Sequence, residues 1–246
     1  MTDSRISLIT GANKGIGFAA ARLIGGTVLV GARDKGRGEA AVASLRDAGT
    51  DAHLVVLDVT DGASVAAAAA WIDNSFGRLD VLVNNAAAPV REWRTPPSAM
   101  TAELLREVYE TNVIGPVAVI NAMLPLLRRS AAGRIVNVSS RLGSVLLISD
   151  PATSLGRVNL LAYNSSKSAL NSITVAYAKE LRDTAIKVNS VNPGFCETDM
   201  AAEMPARDHV KLLTAEEGAA PVVAAALLPD DGPTGMFLGS DGLVPW

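Results

Sequence analysis

The chain of 246 residues has one cysteine, Cys196, and that excludes an intramolecular disulfide framework. It has two histidines, His53 and His209, neither with partners at metal-ligand spacing, so no metal is expected. It lacks a basic run or arm and carries a formal charge of −3, which argues against a nucleic-acid partner. No apolar run approaches the ~20 residues that cross a bilayer. Met1–Arg5 is short and polar and leads straight into an apolar run, so no signal peptide is read there and a cytoplasmic location is expected. No linker, tandem repeat or charge block divides the chain, which suits one domain over residues 1–246. The alanine run Ala66–Ala70 is read as helix.

Apolar residues make up 49% of the chain and charged residues 19%, enough to bury a large core. Short apolar runs read as strands: Ile6–Thr10, Thr27–Gly31, His53–Leu57, Val81–Asn84, Arg134–Ser139, Lys187–Val191 and Met236–Leu238. Longer stretches of helical periodicity lie between them. This alternation predicts a doubly wound α/β domain of the Rossmann type, its mostly parallel sheet of about seven strands covered on both faces.

Two patterns carry chemistry. After the first strand comes Gly11–Ala12–Asn13–Lys14–Gly15–Ile16–Gly17, with a helix expected from about Phe18. Glycines allow a tight turn and close approach of backbone to a pyrophosphate, and the helix N-terminus offers free N–H groups. Further on, Tyr163 and Lys167 stand four residues apart at the start of a helix running to about Arg182, so they share a face. Free tyrosine, with a pKa of about 10, is a poor proton carrier at neutral pH. A neighbouring ammonium would stabilise tyrosinate and lower that value.

With Thr10 in front, the Thr-Gly-x-x-x-Gly-x-Gly spacing resembles that of the short-chain dehydrogenase/reductase family. The family usually has a longer first helix; here Gly25–Gly26 arrives early. The resemblance makes Gly11, Asn13, Lys14, Gly15, Ile16 and Gly17 cofactor contacts. Ala32 stands where the family's NAD-selecting acid would be and Arg33 follows, with Lys14 as a second cation, so the implied cofactor is NADP(H). Asp34 is a counter-signal placed one residue late. Asp58–Val59 resembles the adenine contact, and Asn84–Asn85–Ala86–Ala87 resembles Asn-Asn-Ala-Gly, with Ala87 in place of glycine. If that residue needs φ > 0, alanine costs about 1 kcal/mol. In the family's order follow Asn112, whose implied role is a water-linked proton path to lysine, and Ser140, which would polarise the substrate oxygen while Ser139 stays structural. Tyr163 and Lys167 come next. Pro193, Gly194 and Thr198 resemble the nicotinamide clamp, with Tyr163 and Lys167 also touching the cofactor. Cys196 either lines the pocket or is inert, the plainer reading.

The segment near 141–162, with Leu146–Ile148 and Asp150–Pro151, is longer than in short family members and reads as one substrate wall. The other wall, near 195–213, contains Met200, Met204 and Leu212. A plain surface connection is the simpler alternative. Gly232–Phe237 and the ending Pro245–Trp246 resemble the carbonyl-reductase branch, and the long Ser–Tyr segment favours a monomer while leaving a homo-oligomer open. The implied activity is reduction of a ketone or aldehyde, or its reverse. Enone C=C reduction is a second reading, although relatives that perform it commonly alter the tyrosine or its spacing to lysine. A non-catalytic NADP-sensing protein is a third, although such proteins lose the tyrosine or lysine.

Overall fold

Strand–helix alternation builds one eight-stranded sheet. The computed structural model describes residues 4–93, 95–202 and 212–246. In chain order the elements are β1 (Ile6–Thr10), α1 (Gly15–Leu23), β2 (Thr27–Ala32), α2 (Lys35–Asp47), β3 (Asp51–Val56), α3 (Gly62–Phe76) and β4 (Val81–Asn84). After these come α4 (Ala102–Tyr109), a π-helical segment (Glu110–Ile114), α5 (Gly115–Leu127), β5 (Arg134–Val138), α6 (Val145–Ile148) and α7 (Leu161–Glu180). The last are β6 (Lys187–Val191), α8 (Asp199–Ala202), α9 (Ala215–Ala226), β7 (Phe237–Gly239) and β8 (Gly242–Leu243). The sheet order is β3-β2-β1-β4-β5-β6-β7-β8. All pairs are parallel except β7–β8. The expected seven strands are present, and the eighth is a two-residue antiparallel edge that no run of alternating residues announces.

Neighbouring residues of one strand serve opposite faces, as a period of two requires. Leu8, Leu82, Ile135 and Val188 pack with Ile72 of α3, Met123 of α5 and Ala178 of α7. Ile9, Val83, Val136 and Val191 pack with Ala20 of α1, Val42 of α2 and Val222 of α9. Burying each of the large side chains is worth about 1.5–3 kcal/mol. Residues Ala102–Leu127 form a helical run apolar enough, by length and composition, to cross a membrane. Its apolar side chains Val119, Ile120, Met123, Leu126 and Leu127 are instead in the core.

The short first helix closes differently from the longer one the family resemblance suggested. It ends at Leu23, and Gly25 (φ 71°) and Gly26 (φ 76°) turn the chain straight into β2, where Thr27 N donates to Arg5 O at 2.8 Å. A Cβ on Gly26 would sit on the Arg5 carbonyl, so a side chain at that turn is excluded twice over.

A buried polar ladder crosses the middle of the sheet. Asn84 Nδ2 donates to Asn137 Oδ1 at 2.9 Å, Asn137 Nδ2 donates to Thr174 Oγ1 at 2.8 Å, and Thr174 Oγ1 shares a 2.8 Å hydrogen bond with Ser190 Oγ. It ties β4, β5 and β6 to α7. Asn137→Leu would strand a buried donor on Asn84 and an acceptor on Thr174, so urea unfolding should show a loss of about 3 kcal/mol.

Candidate active site

The site lies at the edge where β1, β4, β5 and β6 end, beside the point at which the strand order reverses between β1 and β4. The glycine loop leaves β1 with Gly11 at φ 64° and enters α1 at Gly15 with φ 58°. Helix α1 thus begins three residues earlier than expected, inside the glycine run. Its flanking Lys14 makes no side-chain cap and its first turn holds no acid. Among the described residues no side chain caps these first amides, and such an uncapped helix start suits an anion. A Cβ on Gly15 would lie at ordinary contact distance, 3.4 Å, from Thr198 Cγ2, so it is the positive φ and not lack of room that favours glycine there.

Thr10 joins this loop to the segment after β4. Its Oγ1 accepts from Asn85 N and Ala86 N, each at 3.0 Å, and Asn85 Nδ2 donates back to Thr10 O at 2.9 Å and Gly11 O at 3.2 Å. A Cβ on Gly17 would collide with Asn85 Nδ2, which explains the third glycine. Among the described residues no non-glycine has positive φ, so Ala87 is accommodated without the strain its motif position raised.

Lys14, Arg37 and Ser44 line one cleft with Asn13, Phe18 and Asp199, and its volume is ≈ 590 Å³. Arg33 follows β2 and is close enough to Asp58 to lower the latter's pKa. The stronger causes there are Thr60 Oγ1 and N, which donate to Asp58 Oδ1 at 2.7 and 2.9 Å. Val59 is a core side chain packed on Gly115. Asp34, the counter-signal, caps α2 by accepting from Arg37 N at 2.8 Å. Arg37 escaped sequence reasoning. Lys35 and Arg37 sit in the first turn of α2, against the helix dipole, with Asp34 as the capping carboxylate and Glu39 beside Lys35. Lys14 is ion-paired with Asp199 of α8, which pulls that carboxylate's pKa down.

Tyr163 and Lys167 do share a face of α7, with Lys167 Nζ 5.7 Å from the Tyr163 ring centre. Ser140 follows β5, accepts from Leu142 N at 3.2 Å, and lies near enough to Tyr163 to pull the phenol's pKa down. Burial raises the Tyr163 pKa above its ordinary value, and Ser140 opposes this. In the protein alone, therefore, desolvation outweighs the lowering that the ammonium was expected to cause. Burial also pulls Lys167 down to about 8, and its Nζ donates to Val138 O at 2.8 Å. Ser139 Oγ turns away to Lys167 O at 3.5 Å.

Asn112 lies in the π-helical segment. Gly115 N donates to Glu110 O, five residues back. Pro116 has no N–H to offer the Asn112 carbonyl four residues earlier. The Asn112 side chain spans two elements: Oδ1 accepts from Ala88 N at 2.9 Å and Nδ2 donates to Ser166 Oγ at 3.0 Å. Glu92, a second residue that sequence reasoning missed, accepts from the first backbone amides of α7.

Pro193 is buried and Gly194 has φ 85°; a Cβ there would meet Leu213 Cδ1 at 2.6 Å. Glu197 N donates to Leu213 O, and Leu213 N to Phe195 O, each at 2.8 Å, so the two ends of segment 195–213 are laced together. Met204 and His209 lie outside the described residues, as does the Met200 side chain. Cys196 is buried, and burial pushes its thiol up to about 11, consistent with the inert reading. On the other flank, Val145 and Leu146 of α6 are exposed, and Leu146 N donates to Trp246 O.

The short chain dehydrogenase family profile matches residues 5–209. The chain belongs to this family. It is 38% identical to the short-chain dehydrogenase anuI of Penicillium roqueforti, over 89% of this chain and 87% of the relative. It is 32% identical to carbonyl reductase [NADPH] 1 of Sus scrofa, over 100% of this chain and 95% of the relative. That alignment runs over 286 positions, so the pig enzyme carries segments this family member lacks. NADPH-bound carbonyl reductase from chicken fatty liver superposes with a TM-score of 0.83 at 29% identity, covering 99% of both chains.

The hydroxyl of Thr10 is the acceptor for two amides of the β4 loop. Thr10→Val keeps the shape and removes the oxygen, so thermal unfolding should report a loss of about 2 kcal/mol, with the sheet retained by circular dichroism.

Proposed function

We propose that the protein is an NADP(H)-dependent carbonyl reductase, reducing a ketone or aldehyde to an alcohol or running the reverse. The observation that carries this reading is the Tyr163 ring 5.7 Å from a buried Lys167 ammonium, with Ser140 after β5 beside it, on the strand edge that also bears an uncapped helix N-terminus. The relatives named for NADPH and carbonyl reduction support it.

When bound, NADPH supplies the hydride. The glycine loop and the amides of α1 would hold its pyrophosphate, and Lys14, Arg33 and Arg37 its 2′-phosphate. Asp58 and Val59 would meet the adenine. Asn85, Ala86, Ala87, Pro193, Gly194 and Thr198 would line the nicotinamide end. Ser140 orients the carbonyl oxygen, and Tyr163 Oη gives that oxygen its proton. Lys167 holds a positive charge beside the tyrosinate that results, and burial, by bringing its pKa to about 8, makes it ready to pass a proton on. Asn112 braces the helix that carries both groups. Segments 141–162 and 195–213 would form the substrate walls.

NADPH oxidation with a panel of ketones, aldehydes and enones tests the reading. Turnover of carbonyls is expected, and Tyr163→Phe should retain less than about 10% of the rate, since general acid catalysis supplies ~10²–10⁴-fold. Turnover of enones alone, or NADPH binding with no turnover, would overturn carbonyl reduction. Arg33→Glu should raise the NADPH Michaelis constant about tenfold or more, on the order of 1.4 kcal/mol, and narrow the preference over NADH.

A further inference from the structure

Helix α7 begins without a cap of its own. The flanking residue is Leu160, which has no side-chain acceptor and is buried. The first amides of any α-helix lack intrahelical partners, and buried ones need acceptors from elsewhere. Here they come from a carboxylate 71 residues upstream: Glu92 Oε1 accepts from Tyr163 N at 2.7 Å, and Oε2 accepts from Ala162 N at 3.1 Å.

Glu92 is only 1% exposed. A carboxylate so placed is tolerable because both oxygens are engaged and its charge meets the positive end of the helix. It lies on the loop that follows Asn84–Ala87, so it bolts that loop to the backbone from which the phenol springs. Asn112 makes a second strut between the same two parts, from Ala88 N to Ser166 Oγ. Ser168 Oγ and Asn171 Nδ2 fix the opposite side of α7 by donating to Gly143 O, three residues after Ser140. Of these anchors, only Glu92 grips Tyr163 itself.

We infer that Glu92 is a positioning residue: by capping the amides of Ala162 and Tyr163, it holds the Tyr163 phenol against Ser140, where it exchanges its proton with substrate. The inference rests on Tyr163 being the acid–base group. A misplacement of about 1 Å in such a group costs on the order of 10²-fold in rate.

The test compares full-length wild type, Glu92→Gln and Glu92→Ala with NADPH and the best carbonyl of the panel. In Glu92→Ala, kcat should fall about 10- to 100-fold while the NADPH dissociation constant stays within about threefold. Amide exchange over residues 160–165 should quicken about tenfold, with β1 and β5 still protected. Glu92→Gln keeps the shape and one good acceptor, so its kcat should lie between the other two; it also serves if the alanine variant does not fold. A kcat within about twofold of wild type in both variants would overturn the inference. So would a parallel loss of kcat, NADPH affinity and exchange protection throughout the sheet, which marks a merely structural residue. Wild type inert toward every carbonyl would instead fell the reading of Tyr163, and the positioning role with it.

Discussion

In a parallel sheet successive strands must finish on the same edge, and that constraint decides where Thr10, Asn84, Val138 and Val191 lie. The register pairs Ile9 with Val83, Asn84 with Asn137 and Val138 with Val191, so these ends arrive level. Each loop that leaves them carries one part of the site. The glycine loop follows β1, the Asn-Asn-Ala-Ala segment follows β4, Ser140 follows β5 and Pro193–Gly194 follows β6. The reversal of strand order between β1 and β4 opens the crevice these loops surround.

Level strand ends would not suffice without a fixed α7, because the phenol and ammonium come from a helix and not from a strand. The helix is held mainly through buried polar groups. Thr174 reaches Asn137 and Ser190 in the sheet, Ser166 meets Asn112, and Lys167 itself donates to Val138 O. Such bonds add little net stability, but breaking any one leaves a desolvated partner behind, so the arrangement tolerates few alternatives. The apolar clusters on the two faces supply the driving force that makes this polar layer affordable. The π-helical segment belongs to the same economy: by departing from α geometry it lets Asn112 span Ala88 and Ser166.

Local patterns had announced the parts that depend on local geometry. Strand boundaries were legible to within a residue or two, most directly in β1, β2 and β4, where burial on both faces leaves mostly apolar runs. The glycine loop was legible because only glycine takes φ near 60° without strain, and the shared face of Tyr163 and Lys167 because helical pitch alone sets it. Less visible were groups whose meaning comes from contact. Asp34 stood as a counter-signal one residue late, and its carboxylate caps α2 at Arg37 N. Arg37 carried no sequence signal of its own, yet it lines the cleft with Lys14. Glu92 had no motif around it.

By itself, then, the amino-acid order determined the α/β alternation, the glycine loop and the i, i+4 pairing of Tyr163 with Lys167, since each is written in spacings of a few residues. Only the tertiary structure decided which distant groups brace them. Thr10 serves Asn85 and Ala86, Asn112 serves Ala88 and Ser166, and Glu92 serves Ala162 and Tyr163 across separations from 24 to 76 residues. It also decided the direction of the pKa shifts at Tyr163 and Lys167. Those follow from burial, and burial is a property of the whole packed sheet and its helices, which no short spacing encodes.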